Sequence, residues 1–328
     1  MHIRANCVIL VEAGLKAILV SVFPVLLSRI AEVQYSTLAF AAESKRTEST
    51  IKGGAMNSNA LLRLKKKKLF LFDIDGTLAV GDTLYDGSAE LLHYIEKKGG
   101  KAYYITNNST RSGRDYVEKF RRAFHLETTE DQFITSGYMA LRFLRKNYAD
   151  SRIYVLGTAS FITELRNNGL DITESADDDA ACVLAAYDSE LTYEKLIQAC
   201  KILSTTDVPF YATNPDLCCP IDFGFIPDCG AICSMLTDST GKKPVYLGKP
   251  SRAVVDLCLE LSGFSKDETL VVGDRLYTDI ACGINGEVDT CVLFTGEAKP
   301  GDMADTPYPA TFCFENVKEL LMHCTEAL

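Results

Sequence analysis

The chain has 328 residues, 47% hydrophobic and 24% charged, with a formal net charge of −10, enough for one large domain or two ordinary ones with a sizeable core. Such an acidic balance argues against sequence-independent nucleic-acid binding, and it repels phosphorylated ligands unless a local cation or backbone N–H groups intervene. Twelve cysteines in no repeated C-x-x-C framework read as buried thiols of a reducing compartment, and four scattered histidines argue against a His/Cys zinc site.

Residues 1–57 differ from the rest. The apolar run Ala17–Leu27 has the length of a signal-peptide core and is short for a membrane span. Ala39-Phe40-Ala41 fits a cleavage site but lies far from that core, and Glu12 is out of place in a leader. Two readings stand: an arm without a fold of its own, with translation starting near Met56, or a targeting or anchoring segment. Glu43–Gly54 reads as linker, and Lys65–Lys68 as a solvated strand entry.

From Leu69 short apolar runs alternate with amphipathic stretches. Leu69–Phe72 has no polar alternation, as in a strand buried on both faces. Ser88–Lys98 carries Leu91, Leu92 and Ile95 at helical spacing and stops at Gly99-Gly100. A strand over Ala102–Ile105 and a helix over 112–124 follow. The rhythm resumes with a strand at Pro244–Leu247, a helix at Ser251–Ser262, a strand at Thr269–Val272, a helix at Thr278–Asn285, and strands at Thr290–Phe294 and Thr311–Phe314. Between them lie strands Ile153–Leu156, Cys182–Ala186 and Phe210–Ala212, with helices over 159–168 and 191–204. The expected fold is α/β: a doubly wound parallel sheet from 58–135 and 234–328, with an inserted α/β domain at 136–233.

The first strand runs into Asp73-Ile-Asp75-Gly76-Thr77-Leu78. Two carboxylates this close repel each other unless a hard cation holds them, and Mg²⁺ favours a few carboxylates with water and phosphate oxygens. Gly76 allows the tight turn between them. The strand Ala102–Ile105 ends in Thr106-Asn107-Asn108-Ser109, whose hydroxyl and N–H groups suit a phosphoryl oxygen, although such residues are also ordinary turn formers. Lys249 is either one more solvated lysine or the cation an acidic crevice lacks. Thr269–Val272 leads into Gly273-Asp274-Arg275-Leu276-Tyr277-Thr278-Asp279, another acidic cluster after a buried strand. All four strand ends are expected at one edge of the same parallel sheet, the usual ligand crevice of such folds.

These strings resemble the four motifs of the haloacid dehalogenase superfamily, in particular its NagD-like phosphatases (subfamily IIA, with 4-nitrophenylphosphatase and phosphoglycolate phosphatase types). The likeness covers roughly 65–325. Thr106-Asn107-Asn108-Ser109 and Ala212-Thr213-Asn214-Pro215-Asp216 resemble this branch most closely. The resemblance implies a Rossmann-like core with an inserted cap, acting on small phosphate monoesters with Mg²⁺ through an aspartyl-phosphate. Asp73 then attacks phosphorus and binds the metal. Asp75 protonates the leaving alcohol and later activates water, its carbonyl touching the metal. Thr106 and the N–H of Asn107, with Asn108 beside them, hold the phosphoryl group, and Lys249 neutralises nucleophile and phosphate. Asp274 is a metal ligand, Asp279 supports Lys249 or the metal shell, and Tyr277 occupies a variable position. Asp75 argues against a dehalogenase, which has no leaving alcohol to protonate.

Asn214 and Asp216 are expected either to face the substrate from the cap or to close a Pro-containing turn. The other readings of the whole chain are a phosphate- or nucleotide-binding regulatory protein with negligible turnover, and a phosphatase tethered through residues 8–27. A cytoplasmic location without nucleic-acid partners is expected, and no membrane association unless the N-terminal segment is an anchor. The resemblance allows a homo-oligomer joined through the cap.

Overall fold

The computed structural model describes residues 58–109, 111–221 and 223–326; the readings of the N-terminal segment lie outside the described residues. In chain order the strands are β1 (Leu69–Phe72), the hairpin β2 (Ala79–Val80) and β3 (Thr83–Leu84), β4 (Lys101–Thr106) and β5 (Phe133–Thr135). Then come β6 (Arg152–Leu156), β7 (Asp171–Thr173), β8 (Cys182–Ala185), β9 (Phe210–Ala212) and the hairpin β10 (Cys218–Ile221) and β11 (Gly224–Pro227). The chain closes with β12 (Val245–Tyr246), β13 (Thr269–Gly273), β14 (Asp289–Leu293) and β15 (Phe312–Phe314).

Six strands form a parallel sheet in the order β15-β14-β13-β1-β4-β5. The unbroken apolar run of β1 is explained by its two covered faces. Phe70 and Phe72 pack with Leu91, Ile95 and Tyr116, while Leu69 and Leu71 pack with Val254, Val255 and Cys258. Each such buried side chain contributes roughly 1.5–3 kcal/mol relative to exposure. After β1 the chain continues to β4 and β5 on one side, and the later strands fill the other. The direction of winding therefore reverses between β1 and β13, the place where open α/β sheets form a crevice at their carboxyl ends.

A second parallel sheet has the order β12-β9-β8-β6-β7. It differs from the sequence expectation at its C-terminal boundary. A division at 233/234 cuts the helix Cys229–Thr240, whose Cys229, Ile232, Cys233 and Leu236 are buried with Val183, Ala185 and Phe210 of this sheet. The strand expected at Pro244–Leu247 also belongs here: Val245 and Tyr246 pair with Tyr211 and Ala212. A four-residue apolar run carries no information about which sheet it joins, because either sheet buries it.

The pattern also missed the helices Ser136–Asn147 and Val317–Thr325, the short strands β5 and β7, and both hairpins. Among the described residues no helix is long and apolar enough to cross a membrane. Cys182, Cys229, Cys258, Cys282, Cys291 and Cys324 are buried thiols.

Candidate active site

Asp73 directly follows β1, and its N–H donates to the carbonyl of Val272 at 2.8 Å, which ties it to the neighbouring strand β13. Asp274 directly follows β13. The following turn, Leu276–Ile280, brings Asp279 back beneath it, with the Arg275 N–H donating to Asp279 Oδ2 at 3.0 Å. Gly273 is required by this closeness, since a Cβ there would lie 2.2 Å from Asp279 Cβ. Asp73, Asp274 and Asp279 each offer a carboxylate oxygen within 4.8 Å of the others.

Lys249 completes the group. It does not arise from a strand end of the six-stranded sheet, as the sequence suggested. It follows β12 on the segment returning from the second sheet, where the Gly248 N–H donates to Thr213 O at 2.8 Å. Lys249 Nζ donates to Asp73 Oδ1 at 2.5 Å and to Asp279 Oδ1 at 2.6 Å. At 3% exposure it is not a solvated lysine. Burial pulls its ammonium down, but Asp279 and Asp73 outweigh this and hold it above the ordinary lysine value. Burial pushes the Asp73 carboxyl well above its usual range; Lys249 opposes that, and Asp279 and Asp274 add to it. Burial and the Asp279 charge likewise raise Asp274 to about 6, against the N–H of Glu297.

Both oxygens of Asp274 are steered. The Glu297 N–H donates to Oδ2 at 2.7 Å and the Thr77 hydroxyl to Oδ1 at 3.3 Å. Gly76 sits beside them at φ +94°, and a Cβ there would lie 2.8 Å from Asp274 Cγ. Asp75 points elsewhere: its carboxylate lies outside the acidic group and its side chain is 44% exposed.

Thr106 ends β4, buried, and its Oγ1 accepts from the Asn108 N–H at 3.1 Å. Asn107 donates through Nδ2 to Asp216 Oδ2 at 2.8 Å and to the Lys249 carbonyl at 3.0 Å. Among the described residues Ser109 Oγ, which is buried, has no hydrogen-bond partner. Sequence reasoning gave Ser109 no separate role; its place in the Thr-Asn-Asn-Ser string was the available signal.

Asn214 and Asp216 are turned inward. Asn214 donates to Asp216 Oδ2 at 2.9 Å and to Asp228 Oδ1 at 3.1 Å, and Arg275 donates to Asp216 Oδ1 at 2.6 Å. They are 0% and 2% exposed, so the turn reading describes them better than a substrate-facing one. Asp216 ties the loop after β9 to Asn107 and Arg275 of the six-stranded sheet. Arg275 also pairs with Glu297 at 3.0 Å; it lies inside the last motif, yet no role followed from its position there. Tyr277 is half-exposed.

The haloacid dehalogenase-like hydrolase family model matches residues 70–171, and a second, HAD-hydrolase-like model matches 246–320. The acid sugar phosphatase of Staphylococcus aureus strain MRSA252 is 33% identical over 258 residues, spanning 79% of this chain and 98% of that protein. The solved 4-nitrophenylphosphatase of Thermotoga maritima superposes with a TM-score of 0.75 at 35% identity, over 80% of this chain and 99% of its own. NagD of E. coli gives 0.69 at 30% identity, over 77% and 98%. With these relatives aligned over nearly their full lengths, the chain belongs to the haloacid dehalogenase-like hydrolases, in their NagD-like branch, and is a phosphoric monoester hydrolase.

Proposed function

We propose that this hydrolase cleaves small phosphate monoesters with Mg²⁺, through a phosphoryl group carried on Asp73. The observation that carries the reading is charge. Among the described residues three crowded carboxylates (Asp73, Asp274, Asp279) face the one ammonium of Lys249, a deficit of two positive charges. Arg275 does not fill it, since Asp216 and Glu297 engage it. An all-oxygen site short of two charges fits Mg²⁺. Asp73, Asp274 and the Asp75 carbonyl would hold the ion; Asp279 has one oxygen on Lys249 and the other on the Arg275 N–H, so it acts as a support. When bound, Mg²⁺ supplies the charge that lets an anionic nucleophile meet a phosphate dianion.

The remaining chemistry belongs to the chain. An oxygen of Asp73 attacks phosphorus in line with the ester oxygen, forming the acyl phosphate as the P–O ester bond breaks. Asp75 gives its proton to the departing alkoxide. Its exposure leaves it able to reach the leaving group and then water. In the second step Asp75 takes a proton from water, the hydroxide attacks phosphorus, and Asp73 departs as carboxylate. Thr106, the Asn107 N–H, Asn108 and the Ser109 hydroxyl, which has no partner among the described residues, form the cradle for the phosphoryl oxygens. The second sheet, from about 136 to 246, we read as the cap that excludes water and selects the substrate, with the Asn107–Asp216–Arg275 bonds at its attachment. The buried thiols support a cytoplasmic location.

The test is turnover of 4-nitrophenyl phosphate by the purified chain. Phosphate release that requires Mg²⁺, stops with chelator and falls at least about a thousandfold in Asp73→Asn is expected. Phosphate binding without hydrolysis across a panel of phosphometabolites would instead favour a regulatory binder.

A further inference from the structure

Lys119 is a buried cation that the chemistry above leaves idle. It ends the helix Gly113–Lys119, is 8% exposed, and places Nζ 3.7 Å from Asp75 Oδ1. Its other notable neighbour is the face of Phe124, 5.5 Å from Nζ. Among the described residues no second ion pair engages it. A buried ammonium is costly unless an anion faces it, and the group facing it here is the carboxyl of Asp75, which the proposed cycle leaves ionised between its acid and base steps.

The helix that carries Lys119 is firmly set. Ser112 and Asp115 close a capping box at its start, the Ser112 N–H donating to Asp115 at 2.9 Å and the Asp115 N–H to Ser112 Oγ at 3.2 Å. One turn before Lys119, Tyr116 is 1% exposed and stacks on Phe133 with ring centroids 5.5 Å apart. Lys119 therefore rides on the buried side of a fixed helix. By contrast, the carboxylate it meets sits on a half-exposed side chain just after a strand. At 3.7 Å the contact is an attraction between charges, longer than a hydrogen bond. Oδ1 is the Asp75 oxygen that the lysine meets, and the other oxygen is not paired with Lys119.

We propose that Lys119 is a positioning residue: it aims Asp75 at the leaving-group oxygen and so governs how well the enzyme cleaves esters whose alcohol must be protonated to depart. This rests on the reading of Asp75 as acid and base. General acid catalysis matters most for poor leaving groups. 4-Nitrophenolate departs as an anion with little help, whereas phenolate depends on a well-placed proton. Misaiming the acid should therefore penalise phenyl phosphate selectively.

The experiment compares kcat/KM for phenyl phosphate and 4-nitrophenyl phosphate, with Mg²⁺, in the full chain and in Lys119→Met, Lys119→Arg and Asp75→Asn. Expected for Lys119→Met is a loss on phenyl phosphate about tenfold or more beyond its loss on 4-nitrophenyl phosphate, with Lys119→Arg recovering most of the difference. Asp75→Asn should show the same selectivity more strongly. Equal losses on the two esters in Lys119→Met would make the lysine a packing residue, and no loss on either would make it a bystander; both overturn the inference. If Asp75→Asn is selective and Lys119→Met is not, only the role of Lys119 falls. If Asp75→Asn shows no selectivity, the reading of Asp75 falls and takes this inference with it.

Discussion

Lys249 Nζ lies 2.5 Å from Oδ1 of Asp73, a contact across 176 positions of sequence that joins the return from the second sheet to the first strand of the six-stranded one. The same ammonium holds Asp279 at 2.6 Å. One cation thus organises two strand-end loops. Removing it leaves three carboxylates facing one another without the ammonium that bonds Asp73 and Asp279.

Lys249→Met tests that arrangement. Deleting one partner of a buried ion pair typically costs about 3–5 kcal/mol. In chelator the variant should melt roughly 10 °C below the parent, and Mg²⁺ should narrow the gap because the ion replaces part of the lost charge. Turnover should fall at least about a hundredfold even with Mg²⁺. Calorimetry with and without the metal, beside an activity assay, reads both.

The proposed Mg²⁺ site predicts a pH dependence through Asp274. Burial and the Asp279 charge raise its carboxyl from 3.8 to about 6, so the metal-free folded state binds a proton more readily than the unfolded chain. Stability from this group is therefore complete below the unfolded value and is lost as pH rises through about 6. Asp73 is displaced in the same direction. Mg²⁺ requires the ionised forms and relieves the penalty. A hundredfold excess over Kd adds about 2.7 kcal/mol, a rise in Tm of roughly 5 °C or more. Thermal scans should show a larger Mg²⁺-induced rise at about pH 7.5 than at about pH 5; an equal rise at both would contradict the assignment.

Asp216 is predicted to matter for stability more than for contact with substrate. Its two oxygens accept from Asn107, Asn214 and Arg275. Asp216→Ala takes one acceptor from each of the buried Asn107 and Asn214 and the partly buried Arg275, and should cost about 3–5 kcal/mol in denaturant unfolding. Asp216→Asn keeps the shape and should cost less. Full stability in the alanine variant with loss of turnover alone would mean that the residue works on the substrate after all.

Much of this was legible in the sequence because it was local. The four apolar residues of β1 announced a strand covered on both faces, and Asp73, Asp75 and Gly76 follow at fixed offsets. The return of Asp279 to Asp274 is likewise written within one motif. What was not legible depended on partners distant in sequence. Nothing in Val245-Tyr246 specifies that they pair with Tyr211 and Ala212. Asn214 and Asp216 look like any polar turn until Arg275 and Asn107 arrive from elsewhere. Lys119 had a usable signal: helical spacing from the apolar Tyr116 puts it on the buried face, where a charge demands a counter-charge.

The central claim is that Asp73 carries the phosphoryl group, and the most direct measurement is to catch it there. The full chain is mixed with 4-nitrophenyl phosphate and Mg²⁺, quenched in acid within a turnover, and mapped by peptide mass. The account predicts a phosphoryl adduct on the peptide containing Asp73, absent when chelator is added and absent in Asp73→Asn. Undiminished turnover in Asp73→Asn, or rapid hydrolysis by the parent with no adduct at any time point, would contradict it.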